Sequence, residues 1–198
     1  LHGEAARRKI GDLAYAALTD NPDMADDVPL FHSTHANLAT VAGHPSADFQ
    51  ATIALMDTSF TAMKNQKDIS GKRRIGAIPR FIIVPDALLN VTERFFGAAN
   101  VPMEVTSGKT VATGLMANNY FGRVTVVSDL RLDDSSTTAW YLAAEKGKTV
   151  KMWFLNGVQT PYLEQQQGWY RDMLEFKVRI DAGAKAIDYR GLYKNAGA

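Results

Sequence analysis

The sequence predicts an α+β fold, helices first and sheet later, and three patterns predict it. Phe49, Ile53, Met56, Phe60 and Met63 recur at alternating spacings of four and three, the period of one helical face. Phe81-Ile82-Ile83-Val84 is a continuous apolar run between Pro79 and Pro85, which suits a short central strand buried on both faces. Leu174, Phe176, Val178 and Ile180 alternate with Glu175, Lys177, Arg179 and Asp181, which suits a long strand with one buried and one charged face.

Composition sets the bounds. A chain of 198 residues, 46% apolar and 22% charged, can bury a substantial core as one domain or two closely packed ones and is not disordered. With no cysteine, disulfides, thiolate metal sites and a cysteine nucleophile are excluded. A net charge of +1 gives no global basic field, so phosphate-driven nucleic-acid binding by the whole surface is not expected. No apolar run approaches a membrane span and no secretory signal opens the chain, so a soluble, unsecreted protein is expected. The opening residues from Leu1 already read as helix, and the true N-terminus is expected upstream.

Residues 4–18 form the first expected helix, with Ile10, Leu13, Ala14, Ala17 and Leu18 on one face, stopped by Thr19-Asp20-Asn21-Pro22. Residues 23–41 read as loop with one extended piece at Pro29-Leu30-Phe31. Ser46 is the expected N-cap of the helix that carries the Phe49 to Met63 stripe. A polar, basic turn follows, through Lys72-Arg73-Arg74, before the apolar strand at 81–84. Residues 86–96 are expected to be helical, closed by Gly97. Residues 100–120 have weak periodicity and read as irregular, with one strand at most. Strands are expected at 123–127, 139–143, 150–155 and 173–181, separated by Asp133-Asp134-Ser135-Ser136 and Lys146-Gly147-Lys148, and mostly antiparallel.

Candidate chemistry is sparse. His32 and His35 stand near metal-ligand spacing with Asp26 and Asp27 upstream, but a cysteine-free zinc site needs three convergent ligands, so hydrogen bonding to loop backbone is the expectation. Thr106-Ser107-Gly108-Lys109-Thr110 resembles the end of a phosphate-binding loop, yet Met103 stands where the first glycine is required, so a plain turn is expected. Asp20, Asp23, Asp26 and Asp27 lack the spacing of a calcium loop and read as a solvated turn. Asn90-Val91-Thr92 has the letters of a glycosylation acceptor but lies inside an expected helix. No nucleophile elbow is present. Lys72-Arg73-Arg74, with Arg80 nearby, is the one candidate for a polyanion, and otherwise marks a solvated or subunit-facing loop. No catalytic, cofactor-binding or metal-binding residue is assigned, and neither cofactor nor metal is expected.

The order of several segments resembles a known family. These are Ala14-Tyr15-Ala16-Ala17-Leu18-Thr19-Asp20-Asn21-Pro22, Pro29-Leu30-Phe31-His32-Ser33-Thr34-His35-Ala36-Asn37-Leu38 and Ile78-Pro79-Arg80-Phe81-Ile82-Ile83-Val84-Pro85. Asn118-Asn119-Tyr120-Phe121-Gly122-Arg123, Ala139-Trp140-Tyr141-Leu142 and the stretch from Arg179 to Gly191 continue the match over nearly the whole chain. They are similar to the major head subunit of Mu-like prophages and to major capsid proteins fused behind a prohead protease, which belong to the Hong Kong 97 capsid fold. The resemblance implies a structural shell protein of the virion capsid, assembled in the bacterial host cytoplasm, and not an enzyme. It implies residues 1–45 as spine-helix end and peripheral loop, 46–170 as mainly axial domain, and 171–198 as the peripheral return strand. The N-terminal arm and extended loop of the family are missing, so this chain is expected to be a monomer or weak oligomer while the full-length protein forms hexamers, pentamers and closed shells with other head proteins. No membrane and no sequence-specific nucleic acid are expected as partners. The alternatives are an encapsulin-like compartment, a prohead protease or hydrolase-associated domain, and a binding module built on the basic turn.

Overall fold

Four strands form the centre of the molecule: β1 (Phe81–Val84), β4 (Thr125–Ser128), β5 (Trp140–Ala143) and β10 (Leu192–Asn195), in the order β10-β5-β1-β4. The computed structural model describes residues 2–107, 110–145, 148–168 and 173–197. Leu1, Gly108, Lys109, Lys146 and Gly147, which figure in the sequence readings above, lie outside the described residues.

The apolar run of β1 is continuous because both faces of the sheet are covered. Ile82 and Val84 point to one side, where α2 (Phe49–Asn65) and α3 (Leu89–Gly97) bury Phe49, Met56, Phe60, Met63, Phe95 and Phe96 against Trp140, Leu142 and Tyr193. Ile83 points to the other, with Tyr141, Ala143 and Leu192, beneath Leu18 at the end of α1 (His2–Thr19) and beneath Leu30 and Phe31. The predicted helical stripe packs on the sheet as expected. Its N-cap is Asp48 and not Ser46: the Asp48 carboxylate accepts from the amides of Gln50 and Ala51 at 3.0 and 3.1 Å. Ser46 takes a different part, its amide donating to the Thr52 hydroxyl.

Buried amides tie the connections to this core. Trp140 Nε1 donates to Gly43 O at 2.8 Å, and Asn195 bridges Gly43 N and Val41 O. Asn118 donates to Phe95 O and Ala98 O, so it satisfies carbonyls that the end of α3 leaves open. The loop at 20–40 is held the same way. Asn21 exchanges two hydrogen bonds with the Phe31 backbone, and Asn37 bridges Leu30 O and His32 N.

Three further sequence expectations are corrected. Residues 100–120 are mostly not irregular: β2 (Asn100–Ser107) and β3 (Thr110–Ala117) are strands of eight residues each, paired antiparallel. Such a pair is held by its backbone ladder, so its Thr, Met and Gly residues show little alternation. The strands pair mostly antiparallel, as expected, and the exception is β1 with β4, which run parallel and are joined by a crossover through α3 and the β2–β3 pair. The helix expected at 86–96 opens as a 3-10 turn (Asp86–Leu88) before α3 begins. The strand at 173–181 is not half-buried. It is β8 (Leu174–Arg179), paired with β7 (Tyr162–Gln167) in a ribbon whose residues are exposed apart from Val178, which is half-buried.

One more pair completes the fold, β6 (Val150–Phe154) with β9 (Ala182–Ala186). Its Val150, Met152 and Phe154 lie opposite Ala186, Ala184 and Ala182. The alternation of the strands puts these six on one face, the less exposed one, where small alanines permit close approach of a neighbouring element. The helix α1 packs beside β6, β8 and β9, and Arg131 in α4 (Leu130–Asp133) pins it by bonds to Asp12 at 2.7 Å and to Arg8 O.

Candidate interaction surfaces

The residues singled out for chemistry are occupied with holding the chain together. His35 is buried, with Nδ1 at 3.1 Å from Leu30 O and Nε2 at 2.8 Å from Asp26 Oδ2, and its ring stacks on Tyr189 at 3.8 Å. The hydrogen bond from His35 holds the Asp26 carboxyl below its ordinary range. His32 caps the 3-10 turn that contains His35, its Nδ1 accepting from Thr34 N and lying 2.9 Å from the Thr34 hydroxyl. The two histidines thus do separate structural work, and among the described residues no group of three or more His, Asp or Glu could hold a metal. Thr110 opens a strand and no helix follows it, so the strand-loop-helix context of a phosphate loop is missing. Asn90 is exposed, but it and the buried Thr92 lie within α3, so the glycosylation letters stand in a helix as expected. Among the described residues no helix is long and apolar enough to cross a membrane.

Two surfaces stand out. The first is the basic turn at 66–76. Gln66 anchors its base: fully buried, it donates from Nε2 to Leu192 O at 2.7 Å and accepts from Gly191 N at 2.8 Å. Gly191 stands at φ 81, a conformation that suits glycine. Asp68 organises the tip, accepting from Ser70 Oγ and from the amides of Ser70 and Arg73, and the serine hydroxyl holds its carboxyl below the ordinary range. Asp68 N donates to Arg73 O and Ile75 N to Gln66 O, so the turn is a closed hairpin-like loop. Lys67, Lys72, Arg73 and Arg74 are exposed on it, as is Ile69 at 89%. Beside it Ile75, Ile78, Arg80, Glu145, Thr149 and Arg190 line a groove of about 460 Å³.

The second is the β7–β8 ribbon. Opposed residues of an antiparallel pair share a face. Glu164 opposite Lys177 and Tyr162 opposite Arg179 therefore make one charged face, with Glu164 and Lys177 3.8 Å apart. Leu163 opposite Val178, Gln165 opposite Phe176 and Gln167 opposite Leu174 make the other. That face is uncharged, four apolar side chains with two glutamines, and is partly open: Leu163, Leu174 and Phe176 are 52%, 54% and 47% exposed. Nearby, Trp153 on β6 and Leu155 and Val158 in the turn that follows it are exposed as well. The alternation of β8 found a strand correctly; that its apolar side stays about half exposed could not be read from it.

Residues 1–195 match the family described as phage capsid protein. A solved structure of a phage-related protein from Bordetella bronchiseptica RB50 aligns with a TM-score of 0.49 and 10% identity, over 96% of this chain and 64% of that one. The present chain thus spans 64% of that protein's length. No curated protein matches the chain. By the match over almost its full length, the chain belongs to the phage capsid protein family.

Proposed function

We propose that this member of the phage capsid protein family is the body of a major head subunit, which associates with copies of itself and with other head proteins into a closed icosahedral shell around DNA. The observation that carries the reading is the apolar face of the β7–β8 ribbon, where Leu163, Leu174 and Phe176 stay about half exposed. An amphipathic strand whose apolar side is open in the monomer is a surface made for burial in an assembly. His32 and His35 held by loop contacts, and a core tied to its connections by buried amides, fit a structural role.

In this reading the subunit follows the Mu-like and Hong Kong 97 plan, with residues 46–170 mainly axial and 1–45 and 171–198 mainly peripheral. The β6–β9 and β7–β8 pairings cross the boundary at 170 and β10 returns to the central sheet, so the two units share strands. The virion capsid is the place of the assembled protein and the host cytoplasm the place of its assembly. Electron microscopy of the expressed full-length protein tests this: rings and closed shells are expected, and particles absent under every assembly condition would contradict it.

A further inference from the structure

Charge is segregated along this chain. Residues 64–80 hold six cations, Lys64, Lys67, Lys72, Arg73, Arg74 and Arg80, against the single carboxylate of Asp68, a local net of +5 in a chain whose net charge is +1. The remainder is therefore net negative. None of Lys64, Lys67, Lys72, Arg73 or Arg74 forms an ion pair with another described residue. Mixed surfaces intersperse the two signs, and a single-sign field of this kind on an anchored turn suits recognition of an opposite field.

The chain itself carries such a field. Asp20, Asp23, Asp26 and Asp27 are all exposed in one loop. Asp26 is engaged by His35, whereas Asp20, Asp23 and Asp27 make no ion pair among the described residues. This loop too is fixed in shape, by Met24 N to Val28 O at 2.9 Å and Leu30 N to Pro22 O at 3.0 Å. Resting on the self-association proposed above, we infer that the basic turn of one copy docks the acidic loop at 20–27 of a second copy.

Three observations favour this occupant. The charges are complementary, which steers encounter and fixes register between subunits. Both elements are held by backbone hydrogen bonds, so little ordering cost attends their meeting. Ile69, Ile75 and Ile78 are exposed among the cations without any aromatic platform, which suits a protein surface better than the stacked bases of a nucleic acid. Two different patches meet, so the contact can repeat head to tail and close into a ring.

Charge reversal tests it in the full-length protein. Lys72→Glu/Arg73→Glu/Arg74→Glu reverses the turn. Asp20→Lys/Asp23→Lys cancels the charge of the loop while sparing Asp26, which holds His35, and Asp27, which stands at φ 56. Each variant alone should associate at least tenfold more weakly than the wild type in sedimentation, and an equimolar mixture of the two should associate more than either alone, because the unchanged basic turn of the loop variant again meets the unchanged acidic loop of the turn variant. Unchanged association of both single variants, with the wild type assembling, would overturn this contact and leave the shell reading standing. A wild type that never associates would overturn both. Loss of binding to a random duplex DNA probe in the turn variant, with self-association intact, would overturn it in favour of nucleic acid. Should a variant fail to fold, salt decides with the wild type alone. Going from about 0.01 M to about 1 M salt shortens the screening length from about 30 Å to about 3 Å, and association must weaken across that range. Salt-independent association would overturn the contact.

Discussion

The central sheet and the β7–β8 ribbon are built from similar strand residues but finish their burial in different places. In the sheet, both faces of β1 meet covering side chains, and Trp140, Phe95, Ile82 and Leu142 are fully buried within one chain. In the ribbon, Leu163 and Leu174 face solvent on one side and an exposed Glu164–Lys177 pair lies on the other. The sheet therefore carries the stability of the single chain, whereas the ribbon's apolar residues add to stability only when a second surface covers them. The difference teaches that the same alternation can specify a core or a contact.

The largest expected effect is in the sheet region. Phe95→Ala empties a site packed by Phe49, Phe96 and Tyr120 and should cost about 3–5 kcal/mol in denaturant unfolding. A cost below about 1 kcal/mol would mean that this region is not the stabilising core. Next comes Gln66→Leu, which leaves Gly191 N and Leu192 O buried without partners. About 2–4 kcal/mol should be lost, with faster amide exchange at Gly191 as the local sign. An effect confined to the basic turn, with the sheet edge intact, would separate the anchor from the core.

A smaller effect concerns acid. The Asp26 carboxyl is lowered from its ordinary 3.8 by the hydrogen bond from His35. A depressed folded value means that the contribution is complete above 3.8 and is lost as pH falls through the folded value. Asp26→Asn should flatten that part of the acid-unfolding curve below pH 4, and an unchanged curve would show that the contact adds nothing to folding.

How much of this was legible in the sequence follows from the same contrast. Helix α2 and strand β1 were readable because their apolar periodicity is answered by partners within the chain. Strand β8 was readable as a strand, but the alternation of Leu174, Phe176 and Val178 is silent on whether the covering surface is internal. The β2–β3 pair escaped notice because a backbone ladder leaves no apolar signature, and β7, with Gln165-Gln166-Gln167, escaped for the same reason. Strand β10 gains its place only through long-range pairing with β5. At the candidate surfaces, Lys72-Arg73-Arg74 was visible as a run of letters. The anchoring of that turn by Gln66 was not, since its partners stand more than a hundred residues away along the chain.

The smallest expected effect on folding lies in the ribbon, where Leu163→Ser/Leu174→Ser should move the unfolding free energy of the single chain by no more than about 0.5 kcal/mol. The same variant gives the most direct test of the account, through sedimentation velocity across a concentration series run beside thermal unfolding. The wild type should associate more as concentration rises, and the variant should associate less at every concentration while keeping the melting temperature that the wild type shows when dilute. Equal association of the two proteins, or a melting temperature lowered as far as in Phe95→Ala, would show that the ribbon's apolar face is not a contact between subunits.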